Sequence, residues 1–212
     1  LVCFGVHVVI VWSGAWICPD RKGAIGHSMF GASTRTTFTF RALPRVQASF
    51  RYSVIKDAYL SGFDTYRDRS FDVKFLLKRE SRYFPALTVG LQDFAGTGIY
   101  AGEFVAVTKN FSGTRIPGTI KATVGLGWGR LGSSGSIGAP FGSERPSFQS
   151  GDTGGELSVD QWFRGDAAPF AGIEWQVNDK WGLKAEYSSD AYVTETNVDV
   201  FERKSRFNVV VV

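Results

Sequence analysis

Polar and apolar residues alternate strictly over much of this chain. Between Arg45 and Val54 the sequence reads RVQASFRYSV, and between Thr119 and Gly129 it reads TIKATVGLGWG. Because successive side chains of a β-strand point to opposite faces, each segment predicts a strand with one polar and one apolar face. The pattern recurs along the chain and predicts nine strands, over 36–43, 45–54, 70–78, 85–93, 99–109, 119–129, 169–177, 181–189 and 198–211.

The connections between these predicted strands alternate roughly between short and long. Tight turns are predicted at 43–44 and 178–180, a short connection at 79–84, and a turn with Gly and Pro signals within 110–118. The Gly-rich connection 94–98 is of moderate length, and long connections are predicted at 55–69 and 130–168. Outer-membrane barrels have short periplasmic turns and long outer loops. We therefore predict that 130–168 is an outer loop or a plug in the lumen, and that the 178–180 turn is periplasmic.

Composition favours a membrane β-sheet over a soluble domain or a helical membrane protein. Of 212 residues, 25 are glycine and 15% are aromatic, both high for a soluble globular chain. The mean hydropathy of −0.06 is expected when only alternate residues meet lipid. The predicted fold class is therefore all-β, an antiparallel meander of a transmembrane outer-membrane β-barrel. Since bacterial single-chain barrels have an even number of strands, about nine strands indicate an incomplete barrel.

The first 33 residues do not follow this alternation. Residues 1–18 are mostly apolar and lack an initiator Met and a basic leading segment, and they contain the only cysteines, Cys3 and Cys18. We interpret this run as a poorly defined or out-of-frame end of the reading frame, with a degenerate signal core or a transmembrane helix as alternatives. The chain is accordingly divided into an atypical N-terminal segment, 1–33, and a partial β-barrel domain, 34–212.

Three longer stretches carry a family resemblance. They are ALPRVQASFRYSVI, FDVKFLLKRESRYFPALTVGLQDFAGTGIYAGEFVAVTKNF and ATVGLGWGRLGSSG, and the chain resembles YjbH-type exopolysaccharide biosynthesis proteins of Gram-negative bacteria over residues 36–205. The resemblance implies an outer-membrane β-barrel protein needed for making or exporting an extracellular polysaccharide. Members of this family are considerably longer, so the chain is expected to be a fragment. The resemblance supplies no catalytic residues.

Histidine and cysteine chemistry is excluded from the barrel-like domain. His7 and His27 are the only histidines, and no Cys follows residue 18. A Ser-His-Asp triad, a Cys-His pair and His-bearing metal sites are therefore ruled out there, and we expect neither an enzyme nor a cofactor. A glycosidase-like carboxylate pair stays open for Glu174 and Glu186, although solvated lumen carboxylates are the simpler interpretation. The alternating glycines of GLGWG indicate strand curvature or close packing in the lumen rather than phosphate binding.

Charged and aromatic residues supply the candidate contacts for a polysaccharide. The net charge is only +4 and no basic cluster interleaves with stacking aromatics, so nucleic acid is not an expected partner. The polar faces form either a wet lumen wall or a basic track that attracts an acidic glycan. Their basic residues are Arg45, Arg51, Lys74, Lys121 and Lys184. Glu103, Glu174 and Glu186 are expected on the same faces and would weaken the positive field. Candidate glycan contacts are Arg45, Arg51, Lys121, Trp162 and Phe163. Aromatics near strand ends are expected to form the bilayer girdle: Tyr83, Phe84, Trp128, Trp175 and Trp181.

The sequence as a whole predicts a non-enzymatic component of exopolysaccharide biosynthesis and export in the cell outer membrane, acting as conduit or assembly scaffold. Its expected partners are outer-membrane lipid, the exopolysaccharide chain and other polysaccharide-export proteins. A nonspecific porin-like channel and a soluble glycan-binding all-β module are the alternatives, and detergent dependence would identify the module. The residues predicted to face lipid are Val46, Phe50, Tyr52, Ile120, Val124 and Leu126.

Overall fold

The described residues form one ten-stranded antiparallel sheet. The computed structural model describes residues 23–30, 33–60, 63–113, 116–146, 157, 159–197 and 203–211. The strands lie in sequence order and each pairs with the next. They are β1 Gly23–Phe30, β2 Ser33–Leu43, β3 Val46–Leu60, β4 Phe63–Lys78, β5 Ala86–Gln92, β6 Gly102–Ser112, β7 Thr119–Gly129, β8 Ala168–Gln176, β9 Gly182–Tyr187 and β10 Phe207–Val211. The predicted all-β antiparallel meander is confirmed.

Helical structure is minor in the described part of the chain. A five-residue helix, α1 (Val193–Asn197), lies between β9 and β10, and 3₁₀ turns occupy Arg130–Gly132 and Val159–Gln161. None of the described helical segments is long and apolar enough to pass through a lipid bilayer. The regular structure of the described residues is therefore almost entirely strand, as the period-2 alternation indicates.

The prediction of nine strands is wrong by one. β1 (Gly23–Phe30) lies inside the N-terminal segment, 1–33, that the sequence sets apart as atypical. It pairs with β2 along its whole length, with Gly23 opposite Phe40 at one end and Phe30 opposite Ser33 at the other. It lacks the alternation of the other strands, so its backbone pairing with β2 is what defines it. Residues 1–22 lie outside the described residues, and their interpretation stays a prediction. β10 covers only Phe207–Val211 of the predicted 198–211.

The long polar connection predicted at 55–69 is instead a hairpin of two long strands. β3 continues to Leu60 and β4 begins at Phe63, with Ile55 opposite Tyr66 and Lys56 opposite Thr65. The backbone hydrogen bonds of the ladder hold this pairing and do not require an apolar face. Because residues 55–69 lack alternation, the sequence predicted a loop where the structure has a hairpin, and that prediction is wrong.

The described sheet is open rather than closed into a barrel. β1 pairs with β2 alone, and β10 pairs with β9 alone. Connections lie at two opposite ends of the strands. The turn end carries 44–45, 79–85, 113–118 and 177–181, and the loop end carries 93–101, 130–167 and 188–206 together with the β1–β2 and β3–β4 connections. The three longest connections are thus all at one end, and of these the sequence predicted 130–168 as long.

In this sheet the polar face is buried and the apolar face is exposed to solvent, the reverse of what is found in a soluble protein. Ser49 and Thr123 on the polar face are both 2% exposed, whereas Phe71, Val124 and Ile173 on the apolar face are 44%, 54% and 52% exposed. The polar face is therefore the concave inside of a curved sheet, and the apolar face is its outside. The six residues predicted to face lipid all lie on this outer face, exposed or half-buried.

Glycines on the polar face make room for large side chains. A Cβ at Gly90 would lie 2.2 Å from the Phe104 ring, and a Cβ at Gly125 would lie 2.4 Å from the Phe170 ring. Phe104 and Phe170 meet edge to face, with ring centroids 6.4 Å apart, and Leu131 joins their buried cluster. Close packing is therefore one role of the alternating glycines.

We predict that Gly90→Ala destabilises the protein by about 1–3 kcal/mol through overpacking. The three atoms nearest to the added Cβ all belong to the Phe104 ring, so Phe104→Leu should remove most of this penalty. Gly125→Ala is the matched case, because there the carbonyl oxygen of Val105 lies 2.7 Å from the added Cβ. Phe170→Leu should not rescue Gly125→Ala. Unfolding free energies of single and double variants test this, and equal rescue at both glycines would contradict it.

Candidate functional site

The apolar cluster of Phe104, Ala106, Leu131 and Phe170 divides the polar face into two regions. Towards the loop end lies a buried array of charges around Tyr100, which we call the loop-end network. Towards the turn end lies an open cleft around Lys121 and Lys184, which we call the turn-end cleft. The two regions differ in burial and in charge balance, and each is described in turn.

Tyr100 is the centre of the loop-end network. It is 1% exposed, and three arginines surround its ring. The Cζ atoms of Arg35, Arg130 and Arg51 lie 4.7, 4.9 and 5.6 Å from the ring centroid. These distances are those of cation–π contacts, which are strongest when the partners are removed from water. The ring thereby links β2, β3 and the start of the 130–167 loop.

Buried carboxylates balance two of these arginines. Arg130 Nε donates to Asp190 Oδ2 at 2.5 Å, and Arg130 Nη2 donates to Glu195 Oε1 at 2.7 Å. Arg35 also donates to Glu195. Burial raises the pKa of Glu195, but the charges of Arg130 and Arg35 outweigh it and hold this pKa below its usual value. The 188–206 loop, which carries α1, is therefore anchored to β2 and to the end of β7.

Aspartates anchor the 93–101 loop to the same network. Asp72 Oδ1 accepts hydrogen bonds from Arg51 Nη2 at 3.0 Å and from the Asp93 backbone N–H at 2.8 Å. Asp93 Oδ2 in turn accepts from the Tyr100 backbone N–H at 3.0 Å. Burial, reinforced by the negative charge of Asp68, raises the pKa of Asp93 to about 7. Near neutral pH this loop thus contains a carboxyl that is close to half protonated.

The raised pKa of Asp93 predicts that stability falls as the pH rises. In the unfolded chain an aspartate loses its proton near pH 4, whereas in the folded protein Asp93 keeps it to about 7. The folded state therefore binds more protons between these values, and stability is lost across this window, by up to about 4 kcal/mol. Asp93→Asn, whose amide oxygen can still accept from Tyr100, should remove this loss.

The measurement is the difference in unfolding free energy between wild type and Asp93→Asn at pH 5 and at pH 8. We expect a small difference at pH 5 and a more stable Asp93→Asn protein at pH 8. A wild type that gains stability relative to the variant as the pH rises would contradict the assignment.

The turn-end cleft is built around two lysines that share one carboxylate. Lys121 Nζ lies 3.3 Å from Glu174 Oε1, and Lys184 Nζ lies 3.5 Å from Glu174 Oε2. The three side chains are between 20% and 23% exposed. They sit side by side on β7, β8 and β9, because the register pairs Glu174 with both lysines. The cleft has a volume of about 180 Å³, and Asn110, Thr119 and Gln176 also line it.

The five candidate glycan contacts lie in separate places. Arg51 belongs to the loop-end network and Lys121 to the turn-end cleft. Arg45 is exposed at the β2–β3 turn, and Trp162 and Phe163 lie in the 130–167 loop. The structure therefore does not assemble them into one site, and glycan contact at each of them stays a prediction.

Glu103 does not share the polar face with Glu174 and Glu186, and that expectation is wrong. The register places Glu103 opposite Trp128, five positions from the inward pair of Thr108 and Thr123 and therefore on the other face. The alternation alone does not say which face of a strand is the inner one. Glu186 does lie on the polar face, where it accepts from Asn208 Nδ2 at 2.7 Å.

The 130–167 loop covers this part of the outer face. Arg145 Nη1 and Nη2 donate to the two carboxylate oxygens of Glu103 at 2.7 and 2.9 Å. The ring of Trp128 lies 5.2 Å from that of Phe163 and 5.8 Å from that of Phe141, and Trp128 is 2% exposed. Trp128 is therefore enclosed by protein and cannot belong to an exposed girdle, contrary to the prediction.

The other four predicted girdle aromatics lie together at the turn end. Tyr83, Phe84 and Trp181 are 79%, 57% and 59% exposed. Trp175 is on the outer face of β8, and its indole N–H donates to the carbonyl of Pro117 at 2.9 Å. Lys78 Nζ lies 4.1 Å from the Phe84 ring centroid. The turn end thus has an exposed aromatic border with basic side chains beside it.

The central residues of the loop-end network have no signature in the sequence. Tyr100, Arg130, Asp190 and Glu195 lie in three different connections, up to 95 positions apart along the chain. No spacing motif joins them. The sequence does show that the 93–101, 130–167 and 188–206 connections lie at the same end of the meander, so that their residues can come together.

Comparisons with known proteins identify the family of this chain. A family model described as exopolysaccharide biosynthesis protein YbjH matches residues 9–212. The uncharacterized lipoprotein YjbH of Escherichia coli (strain K12) is 32% identical over 179 residues, covering 78% of this chain and 24% of that relative. The chain thus spans about a quarter of the length of this curated relative. No solved structure matches. The chain belongs to the YjbH family of exopolysaccharide biosynthesis proteins.

Proposed function

We propose that this chain is part of a non-enzymatic β-barrel component of exopolysaccharide biosynthesis and export in the cell outer membrane, acting as a conduit or an assembly scaffold. Family membership connects it with exopolysaccharide biosynthesis. The single observation that carries the membrane role is the inverted exposure of the two faces. An exposed outer face that includes Phe71, Val124 and Ile173 is costly in water and favourable against lipid.

The turn end of the outer face also supports contact with a bilayer. Exposed Tyr83, Phe84 and Trp181 border the turn end, where aromatic side chains are typical of the interface between lipid and water. The similar Escherichia coli protein is named a lipoprotein, which fits membrane association. Lipid of the outer membrane, the polysaccharide chain and other export proteins are the partners in this proposal.

Two alternatives are less well supported. A nonspecific porin needs an open interior, whereas Phe104, Leu131 and Phe170 fill part of the polar face. A soluble glycan-binding module would have to cover its exposed apolar face. A carbohydrate-cleaving role is not favoured either, since Glu174 is held by two lysines and Glu186 by Asn208.

Cysteine labelling in cells tests the proposal. In the full-length product with native cysteines replaced by serine, Glu144→Cys would mark the 130–167 loop and Asp179→Cys the 177–181 turn, and both positions are exposed. We expect a membrane-impermeant maleimide to label Glu144→Cys on intact cells and Asp179→Cys only after permeabilisation. The reverse pattern would invert the orientation. A protein that fractionates away from the outer membrane would overturn the proposal.

A further inference from the structure

We propose that the turn-end cleft binds a carboxylate-bearing saccharide unit, so that the turn end is where an anionic polysaccharide meets the polar face. This inference rests on the proposed function and deepens it, because it names the chemical class of the polysaccharide and the end at which it is received.

The cleft has a surplus of positive charge. Two ammonium groups, on Lys121 and Lys184, face the single carboxylate of Glu174 at 3.3 and 3.5 Å. Both distances are longer than a well-formed charge-assisted hydrogen bond, which measures about 2.7–2.9 Å. The lysines therefore retain donor capacity for a second carboxylate. The partial exposure of all three side chains leaves that position accessible from the cleft.

The surroundings of the cleft extend this positive charge to the whole turn end. The described residues there include seven basic side chains, which we call the basic rim: Arg41, Arg45, Lys78, Arg79, Arg82, Lys109 and Lys180. The acidic residues described at the same turns are Glu80 and Asp179, and Glu80 pairs with Lys109 at 3.3 Å. At the loop end, by contrast, four arginines are ion-paired: Arg35, Arg51, Arg130 and Arg145.

This asymmetry concentrates the attraction for anions at one end of the molecule. Charges of one sign around a concave surface raise the local concentration of oppositely charged ligands and speed their association. The basic rim would gather an anionic chain, and the two lysines inside would bind one of its carboxylates. The net charge of +4 alone does not indicate this, because the loop-end charges largely cancel.

A saccharide fits the cleft better than a lipid headgroup does. Lys121 and Lys184 lie on the polar face, whereas their neighbours Ile120 and Leu183 lie on the outer apolar face. An anionic lipid would be held against the outer face and not inside. Trp175 and Leu183 contribute to the lining as well, but most of the lining residues are polar and suit hydroxyl groups. Asn110 and Gln176 line the cleft, and Gln176 Nε2 is fixed by donation to the Asn178 carbonyl at 2.7 Å.

Glu174 provides the sharpest test, because its role has a definite sign. In a purely structural ion-pair triad, removing Glu174 would loosen both lysines and could only weaken the cleft. In a binding site for a carboxylate, Glu174 competes with the ligand for the same two ammonium groups. Glu174→Gln should therefore increase the affinity for an anionic saccharide, whereas loss of the lysines should decrease it.

The experiment measures binding of a galacturonate hexamer, with maltohexaose as the neutral probe, to the purified full-length product. We expect Lys121→Gln/Lys184→Gln to bind the hexamer about tenfold more weakly and Glu174→Gln to bind it more tightly. Lys121→Arg/Lys184→Arg should retain binding. Arg67→Gln/Arg164→Gln removes the same charge from exposed loop-end positions and should bind as wild type does.

Three results would overturn this inference: equal binding of the galacturonate and neutral hexamers, unchanged binding by Lys121→Gln/Lys184→Gln, or weaker binding by Glu174→Gln. Native-like circular dichroism of each variant is required, and Lys121→Arg/Lys184→Arg serves as the comparison if the glutamine variants unfold. Failure here would leave the proposed membrane role intact, because cysteine labelling in cells tests that role separately.

Discussion

An arginine at Val124 is expected to destabilise the protein by about 2–4 kcal/mol when it folds in lipid. Val124 is the sixth of the eleven residues of β7 and lies on the outer face with 54% of its surface exposed. If lipid covers this face, Val124 is near the middle of the bilayer, where a guanidinium loses its hydration. In water the same substitution at an exposed position should change stability by less than about 0.5 kcal/mol.

A depth series along the same strand supplies the control. Ile120, also on the outer face, lies one residue from the turn-end start of β7, and Ile120→Arg should cost only about 0–1 kcal/mol because the charge can reach the interface. Thr123 is not a suitable inner-face comparison, since it is buried and its Oγ1 lies 2.8 Å from that of Thr108. The measurement is the free energy of unfolding of wild type, Val124→Arg and Ile120→Arg in lipid vesicles. Equal small costs at Val124 and Ile120 would remove the membrane interpretation.

Replacing Arg130 by methionine should cost about 3–5 kcal/mol, since it leaves buried charges without their partner. Arg130 bonds both Asp190 and Glu195, and its guanidinium also lies 4.9 Å from the Tyr100 ring centroid. Removing Arg130 leaves the buried carboxylate of Asp190 without its cationic partner, whereas Glu195 keeps its ion pair with Arg35. The 188–206 loop should then detach from the polar face.

Two further variants show whether charge or packing causes this loss. Adding Asp190→Asn to Arg130→Met removes the stranded charge and should recover part of the stability, which packing alone would not predict. Arg164→Met, at an exposed position of the same end, should change stability little. The readouts are unfolding free energy and protease cleavage between 188 and 206. A loss below about 1 kcal/mol for Arg130→Met would contradict a buried network.

Strand identity could be predicted from the sequence wherever one face is apolar. The alternation in 45–54 and 119–129 corresponds to parts of β3 and to the whole of β7, because a strand's side chains have a period of two residues. It failed where pairing continues without an apolar face, as in the hairpin beyond Ile55 and in β1. There the ladder depends on backbone hydrogen bonds, which leave no pattern in the side chains.

The candidate site was predictable only in part, for a related reason. Lys121, Glu174 and Lys184 were recognised as polar-face residues, because alternation assigns faces. Their convergence into one cleft depends on the register of β7, β8 and β9, which involves residues more than 50 positions apart. Single-strand patterns contain no information on register, since sliding one strand by two residues preserves its faces.

The sequence by itself thus determined the all-β meander, the division of most strands into a polar and an apolar face, and the position of the longest connection. Only the tertiary structure decided that three arginines surround the Tyr100 ring, that Glu103 lies on the outer face bound by Arg145, and that Lys121 and Lys184 share the carboxylate of Glu174. The physical reason is the distance along the chain over which the interacting residues are separated. Face and strand follow from neighbours along the chain, whereas buried charges find their partners across connections whose course no local pattern specifies.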